Sequence, residues 1–363
     1  MTALDGRRPA LYRLGPPAAR TIGSRPARSI VTSDEIGSAM QVVAADPTGL
    51  DAALAALAAG RLVGLPTETV YGLAADATDG RAVAGIYAAK GRPSFNPLIA
   101  HVADLAEAER HGRFGADARR LAEAFWPGPL TLVVPKRPDS TIADLCTAGL
   151  DSVALRVPAT TVARDLIRRF GRPIAAPSAN RSGRISPTAA EDVVAELGDR
   201  VAVVIDGGRT PVGVESTIVA CLDGHVRLLR PGGVPRAAIE AAIGRALDPD
   251  DAGGSDPARP LAPGLLLSHY APNARVRLDA SEVRPGEALL AFGPDPLPGQ
   301  EQAIALVNLS PAGDLAEAAA GLFRALRQLD ASGAPTIAVA PIPADGLGEA
   351  IRDRLGRAAA PRG

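Results

Sequence analysis

Between Leu65 and Val102 the chain gathers side chains suited to holding anions. The run LPTETVYGLAADATDGRAVAGIYAAKGRPSFNPLIAHV carries Thr67, Glu68, Thr69, Lys90, Arg92, Asn96 and His101, whereas much of the remaining chain is Ala, Leu, Val and Arg. Hydroxyls, an amide and two cations at short intervals bind carboxylates and phosphates through charge-assisted hydrogen bonds. Lysine is scarce: of 39 Lys plus Arg, only Lys90 and Lys136 are lysine. Where nearly every positive charge is Arg, a retained Lys marks a place for a compact ammonium, or else a solvated charge at a helix end. Asparagine is as rare, occurring at Asn96, Asn180, Asn273 and Asn308.

Four later segments carry the same kind of chemistry. LDSVALRVP (150–158) sets Arg156 among apolar neighbours, either as an edge residue or as an anion clamp. PSANRSGRISP (177–187) is a run of small hydroxyls and glycine. Such a loop brings backbone N–H groups close to phosphate oxygens, although Ser/Gly/Pro runs also form plain turns. GVESTIV and HVRLLRPGG (213–219 and 225–233) follow, with Arg230 at a strand end just before Pro-Gly-Gly.

These residues need elements to position them. Val63 to Leu65 reads as a buried strand ended by Pro66. From Asp79 the spacing changes, with Ala82, Val83, Ile86, Tyr87 and Lys90 on one helical face up to Gly91. Leu98 to Val102 is a second apolar run, which makes the stretch a strand–helix–strand unit whose strand ends lie close together. Upstream, Asp46-Pro47 announces a helix that Gly60 stops. Downstream, helices are expected at 105–110, 116–125, 160–170, 189–197 and 234–245, and strands at 130–135, 150–158, 174–176 and 201–205. After 247 the composition shifts to LDPDDAGGSDPARPLAPG, a linker, followed by LLLSHYAPN. The last ninety or so residues alternate strands and helices, as in a small parallel α/β domain.

Bulk composition narrows the class. A length of 363 residues allows two domains, and 47% hydrophobic content supports real cores. The formal net charge of −1 supplies no global field for wrapping nucleic acid. Cys146 and Cys221 are isolated, so no disulfide framework or CxxC metal site is readable, and a reducing, cytoplasmic setting fits best. No apolar run is long enough to span a membrane. There is no P-loop, no GxGxxG and no histidine spacing suited to zinc.

PTETVYGL, AAKGRPSFNPLIAHV, LRVP, PSANRSGRISP, GVESTIV and RPGG, in this order, resemble the YrdC-like family. The SHYAP segment and the small last domain look like its long, two-domain form. The resemblance covers about Gln41 onward and implies a twisted α/β sheet domain with a concave cavity (41–246). A linker that lids the cavity (247–273) and a Rossmann-like α/β domain (274–363) would follow a disordered tail (1–40). It also implies an activity: L-threonine, bicarbonate or CO₂ and ATP are joined into L-threonylcarbamoyl-AMP and pyrophosphate. A separate complex then transfers the threonylcarbamoyl group to tRNA. By resemblance, Thr69, His101, Arg156, Ala176 and Ser216 surround threonine. Lys90, Arg92, Asn96, Ser152, Ser178, Asn180, Ser186, Arg230 and Tyr270 face ATP, and Lys90, Arg92 and Arg156 carry the catalytic charge. Thr67 and Glu68 brace the strand. No resident metal is implied, since Mg²⁺ would arrive with the ATP phosphates.

Two other readings compete. A carbamoyl-transfer enzyme of the hydrogenase-maturation type would bring an acylphosphatase-like domain and CxxC motifs, which this sequence lacks. An RNA-binding module would need a basic groove with interleaved aromatics, and aromatics make up 3% of the chain with no such block.

Overall fold

The computed structural model describes residues 40–249, 261–263 and 269–361. The expected tail lies outside them except for Met40, as do linker residues 250–260 and 264–268.

Ten strands form one mixed, twisted sheet in the order β1-β8-β2-β3-β7-β4-β6-β5-β9-β10. They are β1 (Gln41–Ala44), β2 (Val63–Leu65), β3 (Gly72–Asp76), β4 (Ile99–His101), β5 (Leu130–Pro135), β6 (Ser152–Arg156), β7 (Ile174–Ala175), β8 (Val203–Asp206), β9 (Thr217–Leu222) and β10 (His225–Arg230). Seven helices join them: α1 (Pro47–Ala58), α2 (Gly80–Lys90), α3 (Leu105–His111), α4 (Ala116–Phe125), α5 (Thr161–Phe170), α6 (Ala190–Leu197) and α7 (Arg236–Ile243).

Local chemistry accounts for the helix ends. Asp46 caps α1 by accepting from the Gly49 N–H at 2.9 Å, with Pro47 at the first helical position. Asp79 caps α2 through the Arg81 N–H, and Gly91 closes it at φ 60°, a conformation that favours glycine. Thr160 stands at the N-cap of α5 but makes no cap bond; its hydroxyl donates to the Pro66 carbonyl at 3.1 Å, tying that helix to the end of β2.

The strand–helix–strand reading of 65–102 needs one correction. An additional strand, β3, lies between β2 and α2 and pairs antiparallel with β2. β4 pairs with β7 and β6, so the ends of β2 and β4 are not neighbours. GLAAD has neither alternation nor β-branched residues to announce a strand. Its conformation comes from pairing on both sides, with β2 and β7, in a wholly buried setting.

Residues 275–339 form a second, wholly parallel sheet in the order β11-β14-β12-β13. Its strands are β11 (Arg275–Arg277), β12 (Glu287–Ala291), β13 (Leu306–Asn308) and β14 (Thr336–Val339), covered by α8 (Leu315–Asp330) and α9 (Gly348–Ala359). One apolar cluster joins this unit to the large sheet: Val70, Ile185 and Val214 pack with Tyr270, Leu322 and Phe323. Ion pairs ring that contact, with Arg327 on Glu196 at 3.1 Å and Arg236 on Glu349 at 2.6 Å. No helix among the described residues is long and apolar enough to cross a membrane.

Candidate active site

The parallel pairing of β4 with β6 sets His101 beside Arg156. Because β6 runs between β4 and β5, Arg156 is an interior residue and not an edge residue. It is 4% exposed, and such burial requires a partner. Glu68 provides one, with Arg156 Nη2 2.5 Å from Glu68 Oε1. The other Glu68 oxygen accepts from the Ala159 N–H at 2.8 Å, and Arg156 Nε donates to the Gly128 carbonyl at 3.3 Å. The guanidinium is thereby fixed in orientation. Thr67 donates its hydroxyl proton to the Val70 carbonyl at 2.6 Å. In the 2.9 Å contact between the two threonines, Thr69 is therefore the donor, which leaves Thr69 lone pairs to accept from a ligand. Burial, with the Arg156 charge adding to it, pushes the His101 imidazole down to about 3, so it is neutral at ordinary pH.

A second group of cations lies around the loop after β7. Lys90 Nζ donates to the carbonyls of Ser178 and Asn180, each at 2.5 Å. Burial and then the Arg92 charge pull the Lys90 ammonium well below its ordinary range. The Asn180 amide donates to the carbonyls of Arg181 and Arg184, at 2.9 and 2.7 Å, and so staples the loop to itself. Arg92 donates to the carbonyls of Asn96 and Pro97 at 3.2 and 2.9 Å, and burial lowers its guanidinium to about 10. Arg230 donates to the Ser216 carbonyl at 2.8 Å and to its hydroxyl at 3.2 Å. Ser216 in turn meets Thr131 at 2.8 Å.

Of the residues predicted from sequence, Thr69, Arg92, His101, Arg156, Ala176, Ser178, Ser216, Arg230 and Tyr270 line one narrow pocket. Lys90, Asn96, Ser152, Asn180 and Ser186 are not among its lining residues. Lys90 and Asn180 hold the loop that carries Ser178, and Ser186 donates to Glu215 at 2.5 Å. Asn96 Oδ1, His101 Nδ1 and Ser152 Oγ are buried and have no hydrogen-bond partner among the described residues. Of these three, only His101 lines the pocket, where its free ring nitrogen is available to a ligand. Pro263, His269 and Tyr270 close the pocket on one side. A wider surface groove lined by Arg110, Arg137 and Arg172 contains none of the predicted residues.

Three participants were not legible as such in sequence. Glu68 reads as a brace for its strand, whereas its carboxylate orients Arg156. Glu215 lies in GVESTIV, where the resemblance points only to Ser216, yet it lines the pocket and carries a buried charge. Arg354, on α9 of the second unit, bonds Glu215 at 2.6 Å. Nothing distinguishes it in RDRLGR, where arginine recurs every second or third residue.

Among the described residues no group of three His, Cys, Asp or Glu is arranged to hold a metal. Glu215, which lines the pocket, and Glu68, which lies behind Arg156, are each engaged by an arginine. These residues therefore do not fit a resident Mg²⁺.

Comparison with known proteins identifies the family. Residues 55–232 match the Sua5_yciO_yrdC family model, described as "Telomere recombination". Residues 234–360 match the model of the threonylcarbamoyl-AMP synthase C-terminal domain. The chain is 41% identical to threonylcarbamoyl-AMP synthase of Bacillus subtilis over 322 residues, 85% of this chain and 92% of that protein. It is 40% identical to the enzyme of the same name from Pyrococcus abyssi, over 82% of this chain and 90% of the relative. The crystal structure of P. abyssi Sua5 complexed with L-threonine superposes with a TM-score of 0.78 at 37% identity, covering 88% of this chain and 97% of that one. With both family models matched in order and relatives aligned over most of their length, the chain belongs to the threonylcarbamoyl-AMP synthase family, enzymes of tRNA modification, in its two-domain form.

Proposed function

We propose that the pocket joins L-threonine, bicarbonate or CO₂ and ATP into L-threonylcarbamoyl-AMP and pyrophosphate. This is the first step of N6-threonylcarbamoyladenosine formation in tRNA. The observation that carries the reading is the convergence of Arg92, Arg156 and Arg230, all buried, on one pocket. A relative solved with L-threonine supports the amino-acid assignment.

In this reading Arg156, held square by Glu68, takes the threonine carboxylate, and Thr69 accepts from its amine or hydroxyl. His101, Ala176 and Ser216 complete that side. The threonine nitrogen attacks CO₂ and loses a proton, forming a carbamate. A carbamate oxygen then attacks the α-phosphorus, the bond between it and the bridging oxygen of the β-phosphate breaks, and pyrophosphate leaves. No protein nucleophile is required, so catalysis consists of placement and charge stabilisation. Arg92, Ser178 and Arg230 meet the phosphates. Lys90 and Asn180 shape the loop that presents Ser178, and Asn96, Ser152 and Ser186 serve the nucleotide. Mg²⁺ enters as a counterion of ATP, as part of the substrate. Tyr270, from the segment before β11, closes the nucleotide side of the pocket. The product passes to a separate transfer complex, without stable tRNA binding by this near-neutral chain, in the cytoplasm.

Pyrophosphate release by the purified protein with Mg·ATP tests the reading. Release that requires both L-threonine and bicarbonate supports it. Release that ignores threonine overturns it.

A further inference from the structure

Arg354 heads the largest fully buried side chains of the protein, with an exposure of 0%, yet it belongs to α9 of the four-stranded unit and not to the pocket-bearing sheet. Its Nε donates to Glu215 Oε2 at 2.6 Å and its Nη1 to Asp353 Oδ2 at 2.5 Å. Its guanidinium stands 5.2 Å from the ring centre of Tyr270, which stacks on Phe323 of α8. The partner oxygen, Glu215 Oε1, accepts from Ser186. The next residue, Ser216, receives Arg230 through both its carbonyl and its hydroxyl. The Glu215 carbonyl accepts from the Gly233 N–H at 3.1 Å, so the Arg-Pro-Gly-Gly turn is anchored to the same peptide.

Replacing a buried ion pair with apolar groups is often neutral or stabilising, so cohesion between the units does not require these charges. What the pair adds is direction. It sets where the Glu215 carboxylate points, and with it Ser186, the Ser216 peptide and the Arg230 fork. We infer that Arg354 is a positioning residue for the nucleotide side of the pocket, through which the second unit takes part in turnover. The inference rests on the function proposed above.

The groups facing Glu215 are Arg354 from α9, Arg230 from β10, Lys90 from α2, and His269 and Tyr270 from the segment before β11. Burial by itself would raise the Glu215 carboxyl, but Arg354 and then Arg230 outweigh it and hold the group at about 2. Loss of Arg354 removes the stronger of these two influences, and the carboxyl rises.

The test compares wild type with Arg354→Met, Arg354→Lys and the apolar pair Arg354→Met/Glu215→Leu. The readouts are kcat, KM for ATP, ATP affinity and the pH profile, with thermal unfolding followed in parallel. Arg354→Met is expected to lose at least about tenfold in kcat/KM for ATP and to gain an acid limb that wild type lacks. Arg354→Lys is expected to remove that limb and restore part of the rate. The apolar pair is expected to fold and remain impaired, and it decides the matter if Arg354→Met does not fold. Wild-type kinetics and pH profile in a folded Arg354→Met, or in the apolar pair, overturn the inference. A wild-type protein that releases no pyrophosphate overturns the proposed reaction instead. ATP affinity then decides this inference: a loss of at least about fivefold in the folded variants supports it, and unchanged affinity sinks it.

Discussion

At the scale of single residues, the decisive feature is that each pocket cation has been given a direction. Arg156 and Glu68 have side chains 5% and 2% exposed, and their pairing sets the angle at which the guanidinium meets a carboxylate. Arg156→Ala is expected to cut threonine-dependent turnover at least about a hundredfold, equivalent to about 2.7 kcal/mol. ATP affinity is expected to change less than about twofold, a contrast that calorimetric titration of each ligand checks. The same change leaves Glu68 buried and unpaired, at a stability cost of about 3–5 kcal/mol. Equal loss of both ligands would contradict the assignment of Arg156 to threonine. The sequence announced Arg156 as a clamp or an edge residue, and only sheet order removed the edge reading.

The histidines make a second residue-scale prediction. His101 and His269 are lowered to about 3, by burial in each case, against an ordinary value of 6.5. Unfolded, both imidazoles take up a proton near 6.5, so between those values the unfolded chain binds up to two more protons than the fold does. Stability therefore falls as pH drops from 6.5 toward 3, by at most about 2.7 kcal/mol per pH unit. Glu215, lowered from 4.5 to about 2, adds a loss of the same sign between those two values. Urea unfolding at about pH 7 and about pH 5 checks this, with a lower midpoint expected at the acid value. Equal midpoints would mean that the rings are not buried neutral in solution.

At the scale of elements, capping and periodicity were readable because they are local. Asp46-Pro47 and Asp79…Gly91 bound their helices with the residues that stand in the sequence. β3 was not readable, since an Ala-rich pentapeptide becomes a strand only when partners flank it on both sides. Contact between elements also yields a prediction at Gly213, which has φ +73°. A Cβ built there lies 2.4 Å from the Ala319 carbonyl oxygen and the Ala320 Cα of α8. Gly213→Ala is expected to destabilise by about 1–3 kcal/mol and to lower turnover, because the intruding methyl wedges α8 from the loop that carries Glu215 and Ser216. Thermal unfolding alongside the pyrophosphate assay measures both; a variant as stable and active as wild type would refute the close approach.

At the scale of the whole molecule, the four-stranded unit is part of the pocket's support. Its α8 and α9 share an apolar cluster with Val70, Ile185 and Val214, and its Arg354 reaches Glu215. A chain ending at Gly264 is expected to expose that cluster, strand the Glu215 charge and lose at least about tenfold in turnover, with increased binding of a hydrophobic dye. Full activity in the shortened chain would make the second unit dispensable for chemistry.

The sequence alone determined the family, the helix ends, the parallel character of the last sheet and most of the residues that line the pocket. The helix ends and the sheet depend on residue type and short-range spacing, whereas the pocket residues came through the resemblance carried by the ordered motifs. Tertiary structure decided that Arg156 is interior, that β3 separates β2 from α2, and that Glu68 pairs with Arg156 and Arg354 with Glu215. The two ion pairs join residues 88 and 139 apart in sequence, separations at which a single sequence holds no periodic or compositional trace. A buried charge is recognised by its partner, and the partner is known only once the chain has folded.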